Sequence, residues 1–417
     1  MSESGQQNIT VIRWLTFLMF MMFAMTTDSV GVIIPQIVKQ FHLSLTAAGA
    51  FHYATMAAIA AAAIFLGFLA DRIGRKQTIV LGLLVFALNS YLFVLGNSFA
   101  YFLCLLTISG ASIGIFKTGA LALIGDISSS TREHTSTMNM VEGFFGVGAI
   151  IGPAIVTSLI HHDVSWKWLY SIAGTLCAVL ILIALAVRYP RTMKSTEGAV
   201  DLGRTLRMMA NRYALAFGFG ELLYVAIEAS VYVWGPLYLA DYRGQWELLA
   251  GYAISVFFLL RAMGRFLGAW MLAKFDWAWV LAIMSGAILV CMAGSVYGGV
   301  SAAVVLLPLS GLFMSVIYPT LNSKGISCFR KSEHGAVAGV ILFFTCAGAV
   351  LGPLAMAALI DVLGAPKYAF LMAAAFAALL TAGLIYNLLA QPTRSLLASL
   401  DVREYGLPPA SVRANPN

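Results

Sequence analysis

A chain of 417 residues in which 60% are hydrophobic and only 10% charged lies far from the roughly 25% charged content of a soluble domain. That balance excludes a soluble enzyme and places the chain in a membrane. The net charge of +7 would suit nucleic acid if the basic residues clustered, but they fall in alternate loops, so no nucleic-acid partner is expected and the lipid bilayer is the surrounding phase.

Apolar runs long enough to cross a ~30 Å hydrocarbon layer lie near 12–36, 47–70, 78–96, 99–124, 137–160, 168–188, 213–240, 247–272, 277–297, 300–325, 335–361 and 367–390. The fold expected is all-α, with twelve transmembrane helices. The first run carries Asp28, in MTTDSVGVIIP, and Pro35 nearer its outer end. Between the second and third stands GFLADRIGRK, Gly67 to Lys76, a charge cluster that marks the arrival of the chain in water. Gly67 permits close helix contact, Asp71 suits a neighbouring helix N-terminus, and Arg72, Arg75 and Lys76 hold the loop in the cytoplasm. The fourth run carries Lys117 and closes on Asp126, within reach of Arg72 or Arg75. Glu142 stands about five residues into the fifth run as bounded above.

Residues 189–211 are the long polar interruption of the chain. They divide it into halves, 1–188 and 212–390, with a tail at 391–417. Basic residues in this linker, at Arg13, Lys274, Lys324, Arg330 and Lys331, and in the tail put both termini in the cytoplasm. The N-terminal MSESGQQNIT has no charged n-region or cleavage site, so the first run is expected to be retained as its own insertion signal. The cysteines, Cys104, Cys177, Cys291, Cys328 and Cys346, show no metal-ligand spacing and read as packing residues.

The seventh run presents Glu221, Tyr224, Glu228 and Tyr232 at three- and four-residue steps, which puts two acids and two phenols on one helix face. Pro236 there matches Pro35 in the first run and predicts a paired bend. Arg261 and Arg265 follow in the eighth run, and Tyr318, Pro319 and Asn322 in the tenth. The phenols could stack on a sugar ring or simply fill the bundle. Lys117, Tyr224, Glu228, Tyr232, Arg261, Tyr318 and Asn322 are the candidate cavity lining.

The halves repeat. Val32 to Pro35 matches Val233 to Pro236, and Phe65-Leu66-Gly67 matches Phe266-Leu267-Gly268. Further on, Gly114-Ile115-Phe116 matches Gly311-Leu312-Phe313, and GAIIGP from Gly148 matches GAVLGP from Gly348. Four alignments in one order at a nearly constant offset indicate a parallel six-helix repeat, whose substrate site lies near the midplane between the halves. The second copy has lost the loop acid: where the first reads LADRIGRK, the second reads MLAKFDW, Met271 to Trp277.

A charge alone in hydrocarbon costs several kcal/mol, so the buried ones should pair. A rise of 1.5 Å per residue puts Glu221 ~12 Å and Glu228 ~22 Å above the inner end of the seventh run, and Arg265 ~13 Å and Arg261 ~20 Å above that of the eighth. Glu228 with Arg261 and Glu221 with Arg265 are therefore the expected ion pairs. Lys117 with Glu142 is a third, reached by snorkelling. Asp28 is left over. Burial favours its protonated form, which makes it the first candidate for proton coupling, ahead of Glu228 and Glu142. The alternative is an acid held by Thr26, Thr27 or Ser29 without titrating.

The loop Gly67 to Lys76 resembles the major facilitator superfamily, in which the corresponding loop reads G-x-L-a-D-r-x-G-R-[KR]. The resemblance implies a cytoplasmic gate formed by Gly67, Asp71, Arg72, Gly74 and Arg75 with Asp126. Asn139, Phe144, Gly148, Ala149, Gly152 and Pro153 are similar to the fifth helix of the fucose-permease-like branch, although Glu142 stands where glutamine is usual. Sugar–proton symporters of that branch carry an acid on the fourth helix, where this chain has Lys117. With two buried arginines, that lysine suits an anionic cargo as well as a sugar-like one.

No HExxH or GxxxxGK[ST] is present, and the GxSxG at Gly110 to Gly114 lies within an apolar run rather than at a strand-to-helix turn. Hence no enzyme activity, metal, cofactor or ATP site is expected. The reading is a monomeric secondary transporter of the cytoplasmic membrane that moves a small polar solute by alternating access, as a proton symporter. Efflux of drugs by proton antiport is the second reading, since GAIIGP also resembles the G-x-x-x-G-P core of exporter motifs. A lipid flippase is the third.

Overall fold

The computed structural model describes residues 3–42, 45–190, 202–240 and 242–408. Among them every regular element is helical. The first span is a pair, α1 (Glu3–Thr27) and α2 (Val30–Phe41), and the second is α3 (Leu45–Leu66) with the short α4 (Leu69–Arg72). Spans three to six are α5 (Arg75–Leu92), α6 (Phe99–Ile127), α7 (Thr131–His161) and α8 (Trp168–Ala186). After α9 (Leu202–Met208) come α10 (Arg212–Leu239), α11 (Glu247–Lys274) and α12 (Trp277–Tyr297). Span ten is again a pair, α13 (Gly299–Met314) and α14 (Ile317–Ser327). A 3-10 turn, Lys331–Glu333, leads into α15 (His334–Leu363), then α16 (Lys367–Ala390) and a terminal α17 (Arg394–Tyr405).

Eleven of these segments are long and apolar enough to cross a membrane. The twelfth span is α5, whose first turn carries Arg75, Lys76 and Gln77 and dilutes its hydropathy. Leu88, Leu182, Val290 and Leu389 are 62%, 69%, 66% and 78% exposed, an outer surface suited to lipid tails rather than water.

Two spans are broken where hydropathy alone suggests one run. At Asp28 and Ser29 the hydroxyls compete with the helix ladder: Thr26 and Thr27 Oγ1 donate to Phe23 O at 2.9 and 3.2 Å, and Ser29 Oγ to Met25 O at 2.6 Å. At Ser315 and Val316 the cause is Pro319. It has no amide hydrogen to return to Ser315, and is accommodated instead in the first turn of a new helix, α14.

Contacts gather the chain into two units. One comprises Met1–Ile127, Phe144–Asn211 and Lys331–Phe343; the other comprises Ser128–Gly143, Arg212–Arg330 and Phe344–Asn417. The first turns of α7 thus group with second-half helices, and the first turns of α15 with first-half helices. In the first unit α3 and α5 both pack on α6. Phe23 lies with its ring centroid 4.7 Å from that of Phe86 and 4.5 Å from that of Phe116. Gly148 and Gly152 bring α7 against α1, because a Cβ at either would lie 2.0 Å from the carbonyl oxygen of Met21 or Met25. In the second unit α11 and α12 pack on α13, and α16 on α10 and α12.

Candidate functional site

Two clusters of charge are built by these elements. The first sits in the loop between spans two and three. Gly74, at φ 107°, adopts a conformation open chiefly to glycine and turns the chain from α4 into α5, which aims Arg75 inward. Arg75 is 1% exposed. Its guanidinium bonds Asp71, Asp126 Oδ2 at 2.9 Å and the Lys331 carbonyl at 2.5 Å. Asp71 in turn accepts from the amides of Gly335 at 2.9 Å and Ala336 at 2.8 Å, in the first turn of α15. A carboxylate there satisfies orphan donors and opposes the helix dipole. Gly67 and Gly339 let the backbones meet, since a Cβ at Gly339 would lie 2.2 Å from Ala63 O.

Asp126 therefore pairs with Arg75, and Arg72 is exposed outside the cluster. Lys76 closes the other flank by donating to the Leu185 and Val187 carbonyls, both at 2.9 Å, at the end of α8. Its ammonium also stands 5.5 Å from the centroid of the Tyr189 ring. Burial pushes the Tyr189 phenol up to about 12, so that ring is neutral at ordinary pH.

The second cluster lies between α7, α10, α11 and α14. Arg261 is ion-paired with Glu228, which also accepts from the Tyr224 hydroxyl at 2.9 Å. Arg265 pairs with Glu142 at 3.3 Å and donates to the Glu142 carbonyl at 2.8 Å. Tyr232 stacks on Phe258 at 5.8 Å, and the Arg261 guanidinium lies 5.2 Å from the same Phe258 ring. Tyr318 stands beside Tyr224, ring centroids 6.5 Å apart.

Of the expected pairings Glu228 with Arg261 is formed. Arg265 is taken by Glu142 rather than Glu221, so the carboxylate expected for Lys117 is engaged within its own unit. The reason is a helix boundary. α7 begins at Thr131 rather than near 137, so Glu142 stands ~16 Å above the start of its helix, at the level of Arg265. Lys117 instead stands over two aromatic faces, Phe20 at 5.7 Å and Phe145 at 4.8 Å, whose quadrupoles supply part of what a carboxylate would.

Glu221 is left within the cluster. It is wholly buried, and among the described residues neither carboxylate oxygen has a hydrogen-bond partner. Its charged neighbours are two further acids, Glu142 and Glu228, while the Asn322 backbone amide lies near without hydrogen-bond geometry. The Asn322 side chain is equally buried, and neither of its amide atoms is bonded. Asp28 stands at the α1–α2 break, half-buried, and accepts from Thr27 Oγ1 at 2.9 Å. Among the described residues no group of three or more His, Cys, Asp or Glu could hold a metal.

Among the described residues, eleven helices long and apolar enough to cross a membrane make this a multi-pass membrane protein. The sequence matches the Major Facilitator Superfamily over residues 16–353, and the chain belongs to that family. The glucose/galactose transporter of Brucella abortus biovar 1 (strain 9-941) is 24% identical over 88% of this chain and 92% of its own. The quinolone resistance protein NorA of Staphylococcus aureus (strain Mu50 / ATCC 700699) is 24% identical over 73% and 78%. Two structures of FucP, one in the outward conformation and the other described as the E. coli fucose:proton symporter, superpose with TM-scores of 0.78 and 0.74. Each is 20% identical and covers 91% of this chain and 99% of FucP.

Proposed function

We propose that this chain is a proton-coupled symporter that carries a small polar solute, sugar-like or anionic, into the cell across the cytoplasmic membrane. It works as a monomer with both termini in the cytoplasm. The halves 1–188 and 212–390 alternate around a central site. The observation that carries the reading is the wall formed by Tyr224, Glu228, Arg261, Glu142 and Arg265, which places two buried guanidiniums, each held by a carboxylate, beside a phenol. Hydroxyls of the solute can bond to the paired groups while the pairs stay intact, and a carboxylate of the solute can replace a glutamate on its arginine when that glutamate takes up a proton. In the other unit Lys117 is a further cation that stands over aromatic faces. The names of the relatives, a glucose/galactose transporter and a fucose:proton symporter, support both the solute class and the coupling ion.

Coupling needs an acid that gains and loses a proton during the cycle. Asp28, at a helix break and only half-buried, is the leading site, with Glu228 and Glu142 able to exchange partners. Glu221 joins them as a residue that helix-level arithmetic had assigned to Arg265. The cluster holds three carboxylates against two guanidiniums, and a proton on Glu221 balances it.

Proton movement into proteoliposomes holding a pH-sensitive dye tests the reading, with sugars, sugar acids, small carboxylates and lipophilic cations as challenges. A solute-dependent flux for sugars or acids that is lost in Asp28→Asn is expected. Flux with lipophilic cations alone would replace the reading by proton-driven efflux, which the NorA match favours as the second reading. Silence with every compound would overturn proton coupling.

A further inference from the structure

We infer that Asp401, on the terminal helix α17, is a positioning residue that clasps the first turn of α7, supplying the acid that the second repeat lacks in its own loop. The inference does not depend on the identity of the cargo.

The first turns of two long helices, α15 and α7, are treated alike. At α15, Asp71 takes the Gly335 and Ala336 amides, and Arg75 takes the Lys331 carbonyl just before the helix. At α7, Asp401 Oδ1 accepts from the Thr131 amide at 3.0 Å and Oδ2 from the Thr131 hydroxyl at 3.4 Å. Lys324 Nζ donates to the Thr131 carbonyl at 3.1 Å. An acid on the amides and a base on the leading carbonyl form the same clasp twice.

The two sets come from different places. In the alignment of the repeats Gly67 matches Gly268, so the position of Asp71 falls on Leu272. Leu272 lies where the match requires, lining a small cleft with Arg132, Thr135 and Lys324 beside the first turn of α7. Its side chain cannot accept a hydrogen bond. At the same offset the counterpart of Asp126 is Ser327, which carries no charge, and the base on this helix is Lys324, three residues earlier. The clasp is completed by a carboxylate brought from beyond the repeat.

Local capping does not replace it. The Glu133 amide is satisfied by Ser130 Oγ at 3.0 Å, and the Glu133 carboxylate turns back to the Ser129 amide at 2.7 Å, a reciprocal box that serves other donors. The Thr131 amide goes to Asp401. α17 is fixed for the task, with Leu397 and Leu400 buried at 6% and 7% exposure. Glu142, whose carboxylate holds Arg265, rides on the helix so positioned.

Hydrogen exchange of the full-length protein, read by peptide in residues 128–136, separates a clasp from general support. Asp401→Ala should speed exchange there about fivefold, the effect of losing one cap, with other helices unchanged. Adding Leu272→Asp to that variant should restore protection, because it returns an acid to the loop. If the double variant does not fold, Asp401→Glu is the second probe and should keep protection near wild type. Unchanged exchange in Asp401→Ala overturns the inference. Exchange raised equally across the second unit, or Asp401→Glu behaving as Ala, assigns α17 to general stability instead.

Discussion

Glu142 and Arg265 are bound twice, side chain to side chain at 3.3 Å and carbonyl to guanidinium at 2.8 Å. The second bond fixes the register of α7 on α11 independently of charge.

Removing one partner of such a pair strands the other in the interior. Glu142→Gln should therefore lower stability by about 3–5 kcal/mol, read as a fall in melting temperature in detergent. Glu142→Gln with Arg265→Met should recover most of that loss. Glu142→Gln with Lys117→Met should not, and recovery there would show that the lysine is the working partner.

The Glu228–Arg261 pair allows a charge-reversal test. Either Glu228→Arg or Arg261→Glu alone leaves like charges facing each other and should abolish uptake. The two together should return measurable uptake in vesicles, although below wild type because Tyr224 loses its acceptor. Failure of the double variant where both singles fold would disconnect the pair from transport.

The span carrying Asp71 was legible in sequence, and so were its helix-terminus role and the neighbourhood of Asp126, because a ten-residue run of charge and glycine specifies local geometry. The pairing of the buried charges was only half legible. Arithmetic on helix rise is sound, but it inherits the error of each helix start, and six residues at the start of α7 were enough to give Glu142 the wrong partner. The breaks at Asp28 and at Ser315 were hidden by hydropathy, which does not register hydroxyl competition or the missing amide of Pro319. α17 lay within a polar tail. Its signal was the spacing of Leu397 and Leu400 on an otherwise charged segment.

Lys117 over Phe20 and Phe145 predicts a coupling measurable by a double-mutant cycle. Phe145→Leu should destabilise the protein by about 1–2 kcal/mol beyond its packing loss. The excess should vanish in a Lys117→Met background. Additive losses would mean that the ammonium is satisfied elsewhere.

Gly339 tests the approach of α15 to α3. Gly339→Val places atoms inside the Ala63 carbonyl, where even a Cβ would stand 2.2 Å away. Asp71 should then lose its amide partners. The Gly335 and Ala336 amides should exchange hydrogen faster in the Val variant than in the parent. Unchanged exchange would show that α15 shifts without releasing Asp71.

The paired glycine steps have a further consequence. In the second unit Gly348 and Gly352 face α10 as Gly148 and Gly152 face α1, with a Cβ 2.5 Å from Leu222 O or 2.6 Å from Ala226 Cβ. Within this one chain the second copy has leucine where the first has its loop acid, yet each copy keeps its two places where one helix rests closely on another. The ancestry of the molecule is thus written in its contacts rather than its chemistry. A wall residue could be rewritten by one substitution, whereas a larger residue at any of these glycines must be answered by the displacement of a whole helix.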